Sequence, residues 1–367
     1  FGLKGVIKMQ VTLFSLLMSV VWSSVLAAFN YLCRKKHFFI RQLGITNLLF
    51  LYLFSIVRML VPYEFSFTRQ IPSSEIFSGL YKDADLNEIG TSQISVLPAL
   101  AVVWALVSVA LMIRFVWQYA RAMAEFSTYS VRDDEQCQRV FNRVLNASAK
   151  QMKITIRRSA RISIPMGAGI FRKSILLPDA EYSDSQLYFI LRHEYTHFQN
   201  RDLLMKAFIH IYWCIFWWNP AIYLLKRDFA QVLEIKCDLD VTEYMGNAKK
   251  AEYLTTIVTM LKHAEAKRQA KAFYGTTALV SKNYESEILE RFKIVSASRG
   301  HKRRNLIFTG SWFLVFGMLI FASYSFVIRP DYEISAGGSE KGSQVPEPAG
   351  NSYRIKCVDG TYYVYFQ

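Results

Sequence analysis

The pentapeptide His193-Glu194-Tyr195-Thr196-His197 contains the residue types that hydrolyse peptide bonds at a metal centre. On a helix, two histidines four residues apart project from the same face, where both imidazoles can bind one zinc ion. The glutamate that follows the first histidine then lies beside a water held by the metal and can take its proton. We therefore predict a zinc site with His193 and His197 as ligands and Glu194 as the catalytic base.

A second helical segment offers a third ligand and a supporting carboxylate. Glu234 and Asp238 lie one helical turn apart and therefore share a face. A third ligand from another helix leaves one position of a tetrahedral zinc ion open for water. We predict Glu234 as that ligand and Asp238 as a carboxylate that orients a metal-bound histidine by hydrogen bonding. The alternative is that both carboxylates are solvated partners of Lys236 or Arg227.

Two further polar residues lie close to the motif in sequence. Asp202 follows His197 by five residues and is predicted to orient a histidine, although a surface ion pair with the neighbouring Arg201 explains it almost as well. His210 lies too far along the chain to be assigned to the metal, and we interpret it as structural.

Local patterns predict the elements that hold these side chains. Ser183 and Gln186 have the spacing of a capping box, which predicts a helix that carries the histidine motif and ends at about Asn200. An apolar stretch at 203–225, interrupted by Asn219-Pro220, is predicted to be a membrane-associated hairpin, either interfacial or re-entrant. Short β-like pieces, separated by prolines and glycines, predict a small sheet before the motif: 153–157, 161–164 and 174–177.

The composition predicts a membrane protein. Of the 367 residues, 52% are hydrophobic and 15% are aromatic, which is high for a soluble protein. The apolar residues form long runs with almost no charge, each approaching the ~20 residues that cross a bilayer. Arg34-Lys35-Lys36 follows the first run in place of a small-residue cleavage site, so we interpret that run as an anchor. The predicted transmembrane helices are at about 11–32, 44–62, 94–117 and 305–328.

Basic residues set the predicted orientation. The loop after the first span and the segment 118–304 are basic, whereas the loop 62–93 is acidic, so the first two face the cytoplasm by the positive-inside tendency. Arg58, near the outer end of the second span, is expected to snorkel to the interface. The predicted domains are a membrane domain (1–117), a cytoplasmic metallopeptidase domain (118–304), a fourth span (305–328) and a short extracellular tail (329–367).

The net charge indicates which partners to expect, and the cysteines indicate whether disulfides form. Most of the formal charge of +15 falls on the predicted inner face, which favours contact with the anionic headgroups of the lipid bilayer. No recognisable nucleic-acid-binding module accompanies this charge, so direct binding to nucleic acid is not expected. Of the five cysteines, only Cys357 falls in the predicted outer tail, and a disulfide framework is not expected.

The order and spacing of these motifs resemble a known family over about residues 10–330. The chain is similar to the bacterial membrane metallopeptidases of the BlaR/MecR antirepressor type, which are sensor-transducers of β-lactam resistance. The resemblance rests on these motifs: Ile164-Pro165, Gly169-Ile170-Phe171, Ile175-Leu176-Leu177-Pro178, Leu191-Arg192-His193-Glu194-Tyr195-Thr196-His197, Arg201-Asp202-Leu203-Leu204, Trp218-Asn219-Pro220 and Glu234-Ile235-Lys236-Cys237-Asp238.

The resemblance implies a mainly α integral membrane protein of the bacterial plasma membrane, with a gluzincin-like α+β zinc metallopeptidase domain. It implies Zn²⁺ bound by the two histidines and Glu234, with Glu194 as the base. It also implies that Gly167, Ala168 and Gly169 belong to an edge strand that binds an extended peptide by backbone pairing. Members are understood to cleave themselves and to inactivate a cytoplasmic transcriptional repressor, so the expected partner is a protein substrate of either kind. A homodimer is a further possible assembly.

One departure from the family keeps other interpretations open. The antibiotic-sensing members carry an external penicillin-binding domain with a Ser-x-x-Lys nucleophile, and 329–367 contains no Ser-x-x-Lys. Either the natural protein senses something else, or the chain ends before the sensor. The uncharged stretch 273–282 is the candidate region for self-cleavage. The alternatives are a membrane protease of the quality-control or prenyl-protein type and a non-catalytic receptor with a structural metal site.

Overall fold

A computed structural model gives the fold and describes residues 10–36, 39–40, 43–72, 96–148, 150–266, 284–298, 306–329, 352–356 and 362–366. The candidate self-cleavage region 273–282 lies outside these residues. The helices are α1 (Leu13–Lys35), α2 (Ile45–Leu60), α3 (Val96–Ser127), α4 (Glu135–Asn146), α5 (Asp184–Asn200), α6 (Asp202–Ile215), α7 (Pro220–Thr242), α8 (Asn247–Ala266), α9 (Tyr284–Ala297) and α10 (Leu306–Ser325). The strands are β1 (Gln10–Val11), β2 (Tyr63–Glu64), β3 (Arg69–Pro72), β4 (Ser130–Val131), β5 (Thr155–Ser159), β6 (Met166–Ala168), β7 (Ser174–Pro178), β8 (Phe326–Arg329), β9 (Ser352–Lys356) and β10 (Tyr362–Phe366).

Three helices within the described ranges are long and apolar enough to cross a membrane, namely α1, α3 and α10. They coincide with the first, third and fourth predicted spans. The second predicted span coincides with α2, which is apolar but has only 16 residues. Such a helix extends about 24 Å, which is less than the ~30 Å hydrocarbon core of a bilayer. The protein is therefore a mainly helical membrane protein, and a topology with four spans stays a prediction.

The short helix α2 lies in the centre of a large apolar core. Leu48, Leu51 and Tyr52 have no exposed surface, and the cluster around them includes side chains from α1, α6, α7 and α10. Burial of one such side chain stabilises the fold by about 1.5–3 kcal/mol. Three of the four predicted membrane helices, α1, α2 and α10, therefore share one core with the helices α6 and α7 that follow the metal motif.

Helices α6 and α7 form a hairpin whose turn reaches deep between the candidate membrane helices. Asn219 caps α7 by accepting from the Ala221 N–H at 2.9 Å, and Pro220 begins the helix. The Asn219 amide also donates to the Ser24 hydroxyl at 2.9 Å, halfway along α1. Trp104 of α3 donates to the Ile215 carbonyl at 2.7 Å. The predicted hairpin at 203–225 thus packs among these helices, although its insertion into the membrane stays a prediction.

A four-stranded sheet in the order β4-β5-β7-β6 lies before the motif helix. Strands β5 and β7 are parallel, whereas β4 and β6 pair antiparallel with their neighbours. The predicted pieces at 153–157 and 174–177 correspond to β5 and β7. The predicted strand at 161–164 is wrong, because those residues form a turn and the third strand begins at Met166. Ile156 of β5 and Ile175 of β7 pack with Leu187 and Leu191 of α5 in one apolar cluster.

Arg58 does not snorkel as expected. Its side chain is 3% exposed and joins α2 to α10, donating from Nε to the Ser323 hydroxyl at 2.7 Å and from a terminal nitrogen to the Ser323 carbonyl at 2.9 Å. The guanidinium also lies 4.0 Å from the centre of the Tyr324 ring. The prediction was wrong because a neighbouring helix supplies polar partners that the sequence of α2 does not reveal.

Candidate metal centre

The helix α5 presents the histidine motif, and the sequence explains why it does so. Its capping box is present as predicted, since Ser183 accepts from the Gln186 N–H and Gln186 accepts in return from the Ser183 N–H. Leu187 and Leu191 on one side of the helix are fully buried against the sheet. This packing fixes the rotation of α5, so the histidines face away from the sheet and towards α7.

Three donor atoms converge at one point between α5 and α7. The Nε2 atoms of His193 and His197 are 3.2 Å apart, and each is 3.6 Å from Oε2 of Glu234. A tetrahedral zinc ion with bonds of about 2.0–2.1 Å holds its ligand atoms about 3.3 Å apart. The three atoms therefore have the spacing of a zinc tripod. All three side chains are buried.

Cys237 is a second candidate for the third donor, since His193, His197 and Cys237 also lie close enough to hold a metal ion. Its sulfur, however, lies 3.6 Å from Nδ1 of His193 and 3.3 Å from the carbonyl oxygen of that residue. Nδ1 is on the opposite side of the imidazole from the Nε2 atom that faces His197. The carboxylate of Glu234 is therefore better placed than the thiol to complete the tripod.

Asp202 lies behind the second histidine. Its Oδ2 atom is 2.7 Å from Nδ1 of His197, and the side chain is nearly inaccessible to solvent. The alternative of a surface ion pair with Arg201 is therefore wrong. Arg201 adopts a left-handed conformation (φ 60°) that ends α5 and begins α6, and this sharp junction brings Asp202 back towards the motif. His210 is remote from the tripod and stacks on Phe115, with 4.4 Å between ring centroids.

Asp238 lies beside the first histidine, with its Oδ1 atom 3.4 Å from Nδ1 of His193, and the Tyr253 hydroxyl joins the two side chains. The Tyr253 hydroxyl donates to Oδ1 of Asp238 at 2.6 Å and lies 2.8 Å from Nδ1 of His193. Arg291 binds the same carboxylate with two hydrogen bonds, of 2.6 and 2.8 Å. The alternative in which Glu234 and Asp238 are solvated is wrong, because both are buried.

The surface cations proposed as alternative partners bind elsewhere. Lys236 pairs with Asp240 at 2.7 Å, and Arg227 pairs with Glu287 at 3.0 Å. Both pairs lie outside the buried group of carboxylates at the tripod. Ion pairs that are partly exposed, as these two are, are worth little energetically.

Glu234 lies in a positive environment. Lys206 of α6 is 3.1 Å from its Oε1 atom, and Arg291 is 3.6 Å from its Oε2 atom. Burial raises the pKa of Glu234, but the charges of Lys206 and His197 outweigh it and hold the pKa well below its ordinary value. The carboxylate is therefore ionised at neutral pH, as metal binding requires.

The glutamate of the motif contacts the edge of the sheet. Oε2 of Glu194 accepts from the Gly167 N–H at 2.6 Å. Because this N–H points to Glu194, the edge of β6 that bears it faces the tripod. Ala168 is 1% exposed and packs in an apolar cluster with Met166 and Leu176. Gly169 turns the chain at φ +87°, where an added Cβ would lie 2.0 Å from the Arg172 carbonyl oxygen.

The sequence analysis missed Tyr253, Arg291 and Lys206. Arg291 had a detectable signal, since it precedes Ile294 and Val295 by three and four residues and so carries a charge on the buried face of α9. Tyr253 had none, because an aromatic residue on an apolar helix face is usually core. Lys206 had a weak signal, since it is a charged residue within the apolar stretch 203–225.

Comparison with known proteins agrees with these motifs. The chain is 29% identical over 146 residues to the methicillin resistance mecR1 protein of Staphylococcus aureus, which is 39% of this chain and 24% of that protein. It is 25% identical over 173 residues to the regulatory protein BlaR1 of Bacillus licheniformis, 46% of this chain and 28% of that protein. The matches thus span about a quarter of the length of these relatives.

A family profile covers more of the chain than these pairwise matches. The profile described as BlaR1 peptidase M56 matches residues 6–295, which include α1 to α8, the sheet, the histidine motif and all but the last two residues of α9. The matched range therefore contains all three residues of the tripod. The chain belongs to the BlaR1 peptidase M56 family.

Proposed function

We propose that the protein is a membrane zinc endopeptidase that transmits an external signal by proteolysis on the cytoplasmic side. One observation carries this proposal: Nε2 of His193, Nε2 of His197 and Oε2 of Glu234 converge with tetrahedral spacing, while Glu194 contacts the edge strand beside them. A base between a metal tripod and an edge strand suits the hydrolysis of an extended peptide.

The residues divide the work of peptide hydrolysis. His193, His197 and Glu234 would hold the zinc ion, which supplies polarisation of the scissile carbonyl and acidifies a water. Glu194 takes a proton from the attacking water and passes it to the leaving amine. Gly167 lies on the strand edge beside Glu194, so a substrate backbone paired along β6 would present its carbonyl next to the base.

The regulatory part of the proposal rests on the relatives and on charge. The relatives are named for methicillin resistance and for regulation, which favours cleavage of the chain itself, of a cytoplasmic repressor, or of both. The basic segment 118–304 favours a cytoplasmic position for the tripod. The tail 329–367 would then lie outside the cell, and β9 and β10 pair antiparallel within it.

The test is a Glu194→Gln variant of the full chain, purified in detergent and loaded with Zn²⁺. Glutamine keeps an acceptor for the Gly167 N–H but cannot take a proton. We expect zinc content to be unchanged while cleavage falls about 10²–10⁴-fold. Zinc is measured by elemental analysis, self-cleavage by intact mass spectrometry, and peptide hydrolysis with a quenched fluorescent peptide library.

The matched control is Asp240→Asn, on the same helix as Glu234 but paired with Lys236 outside the site. It should cleave at the wild-type rate. If Glu194→Gln retains both zinc and wild-type cleavage, the protease proposal is wrong. A wild-type chain that binds zinc yet cleaves neither itself nor any library peptide would favour the non-catalytic receptor.

A further inference from the structure

Helix α9 contacts both the metal tripod and the first candidate membrane helix, with two neighbouring residues. Arg291 binds Asp238 and approaches Glu234. Glu290 accepts from Arg34, at the end of α1, at 2.6 Å. Consecutive helical residues point about 100° apart, so one turn of α9 reaches the two sites in different directions.

We propose that Arg291 is a positioning residue for the metal centre, and that the Arg34–Glu290 ion pair makes its position depend on α1. The inference rests on the proposed zinc site, because it concerns how the ligands are oriented. It adds a physical connection between the membrane helices and the tripod.

The first step is the orientation of His193. The Tyr253 hydroxyl has one proton, which it donates to Asp238. It can therefore only accept from Nδ1 of His193, 2.8 Å away. This arrangement assigns the proton of the imidazole to Nδ1 and leaves the Nε2 lone pair directed at the tripod. A tautomer fixed in this way is what a metal-binding histidine requires.

The second step is the position of Asp238. Its carboxylate is completely buried and accepts two hydrogen bonds from the planar guanidinium of Arg291. Paired bonds of this kind fix the orientation of both groups. Without Arg291 the carboxylate would be a buried charge without its cation, so it would shift or draw in water. The Tyr253 hydroxyl would then lose the acceptor that fixes its orientation, and the orientation of the His193 ring would no longer be fixed.

The third step is the connection to α1. The Arg34 side chain is 3% exposed, and its Nε donates to Asp228 of α7 at 2.6 Å. It therefore joins α1, α7 and α9 in one buried cluster, to which the Tyr52 hydroxyl of α2 also donates. Asp228 lies on the helix that carries Glu234 and Asp238. A displacement of α1 at Arg34 would therefore act on both α7 and α9, the two helices that carry Asp238 and Arg291.

The experiment measures the affinity of the full chain in detergent for Zn²⁺, by competition with a fluorescent chelator. Arg291→Ala and Tyr253→Phe should each weaken zinc binding about 10–100-fold. Arg291→Lys should recover part of the loss, because lysine keeps the charge but not the paired bonds. Tyr253→Phe removes a single oxygen, so it tests the relay even if Arg291→Ala fails to fold.

The connection to α1 is tested with Arg34→Gln, which touches none of the proposed ligands. We expect zinc affinity to fall about 2–30-fold, the range of coupling energies between distant sites. The matched control is Arg227→Gln, which breaks the half-exposed Arg227–Glu287 pair between α7 and α9. It should change zinc affinity less than twofold.

The outcomes separate the two proposals. If the wild-type chain binds zinc but cleaves nothing, the proposed function fails, while the positioning role is still decided by the zinc affinities. If Tyr253→Phe and Arg291→Ala both bind zinc as the wild type does, the positioning role is overturned. If Arg34→Gln and Arg227→Gln have equal effects, the dependence on α1 is overturned. If the wild-type chain does not bind zinc, both proposals are wrong.

Discussion

The two ends of the candidate membrane helices each contain a buried arginine, and the partners of the two arginines differ in kind. At the end remote from the tripod, Arg58 bonds to the hydroxyl and carbonyl of Ser323 and lies against the Tyr324 ring. At the end near the tripod, Arg34 bonds to the carboxylates of Asp228 and Glu290. Arg58 is thus joined to neutral groups, whereas Arg34 is joined to opposite charges.

This difference determines how easily each end can change. A serine hydroxyl that loses its arginine leaves no unpaired charge behind, and water or another donor can replace it. A buried carboxylate that loses its arginine becomes an uncompensated charge, which is costly in a helical core. We infer that the Arg58 contact can rearrange at modest cost, whereas the Arg34 contacts hold α1, α7 and α9 together.

The remote end also has contacts that link separate segments of the chain. β3, which follows α2, pairs in parallel with β8, which follows α10. Arg329 in β8 binds Glu64 at 2.8 Å, and Glu64 also accepts from Thr12 at the start of α1. A stimulus that separated β3 from β8 would therefore act on α1 and α10 together.

The largest effect is expected from Arg34→Met at the near end. This variant leaves Asp228 and Glu290 without their shared cation, and breaking a buried pair in this way costs about 3–5 kcal/mol. We expect the free energy of unfolding of the full chain in mixed detergent micelles to fall by that amount. A loss no larger than that of a remote-end variant would remove the distinction between the two ends.

A smaller effect is expected from Arg58→Met at the remote end. The variant loses two hydrogen bonds to Ser323 and a contact with the Tyr324 ring, and it leaves no carboxylate unpaired. The expected loss is about 1–3 kcal/mol in the same unfolding measurement. Zinc affinity should stay at the wild-type value. A loss of zinc binding would show that the remote end also supports the tripod.

The smallest effect is expected from Ser323→Ala. Alanine removes the hydroxyl that accepts from Nε of Arg58, but the carbonyl of residue 323 still accepts from the terminal nitrogen. One hydrogen bond to a charged group is lost, and we expect a cost of about 1.5 kcal/mol, the low end for such bonds, because the bond to the carbonyl and the contact with the Tyr324 ring keep the guanidinium in place. Combining Ser323→Ala with Arg58→Met in a double-mutant cycle gives the interaction energy directly. An additive cycle would mean that the bond between the Arg58 side chain and the Ser323 hydroxyl contributes nothing to stability.

Local signals explain why part of the site could be predicted. The spacing of His193 and His197, the glutamate between them and the helix start at Ser183 depend only on residues close in sequence, and helical geometry is the same in every context. The long apolar runs likewise reveal α1, α3 and α10, because the thickness of a bilayer sets a minimum length. The strand at 161–164 was predicted wrongly because turn and strand residues are mixed there.

Contacts between distant residues could not be predicted in the same way. Tyr253 contacts His193 across 60 residues, and Arg34 contacts Glu290 across 256 residues. Neither pair has a spacing that a sequence pattern can register. Arg58 shows the same limit, since its partner Ser323 lies on another helix and the arginine alone suggested only an approach to the membrane interface.

The sequence by itself therefore determined the type of chemistry, the helix that carries it and the apolar segments that place the protein in a membrane. Only the tertiary structure brought the Glu234 carboxylate to the two Nε2 atoms, the Tyr253 hydroxyl to Nδ1 of His193, and α9 to both Arg34 and Asp238. The physical reason is that a ligand's type and helical periodicity are local properties. The donor atoms of a tripod, by contrast, are brought together by packing, and packing depends on every helix at once.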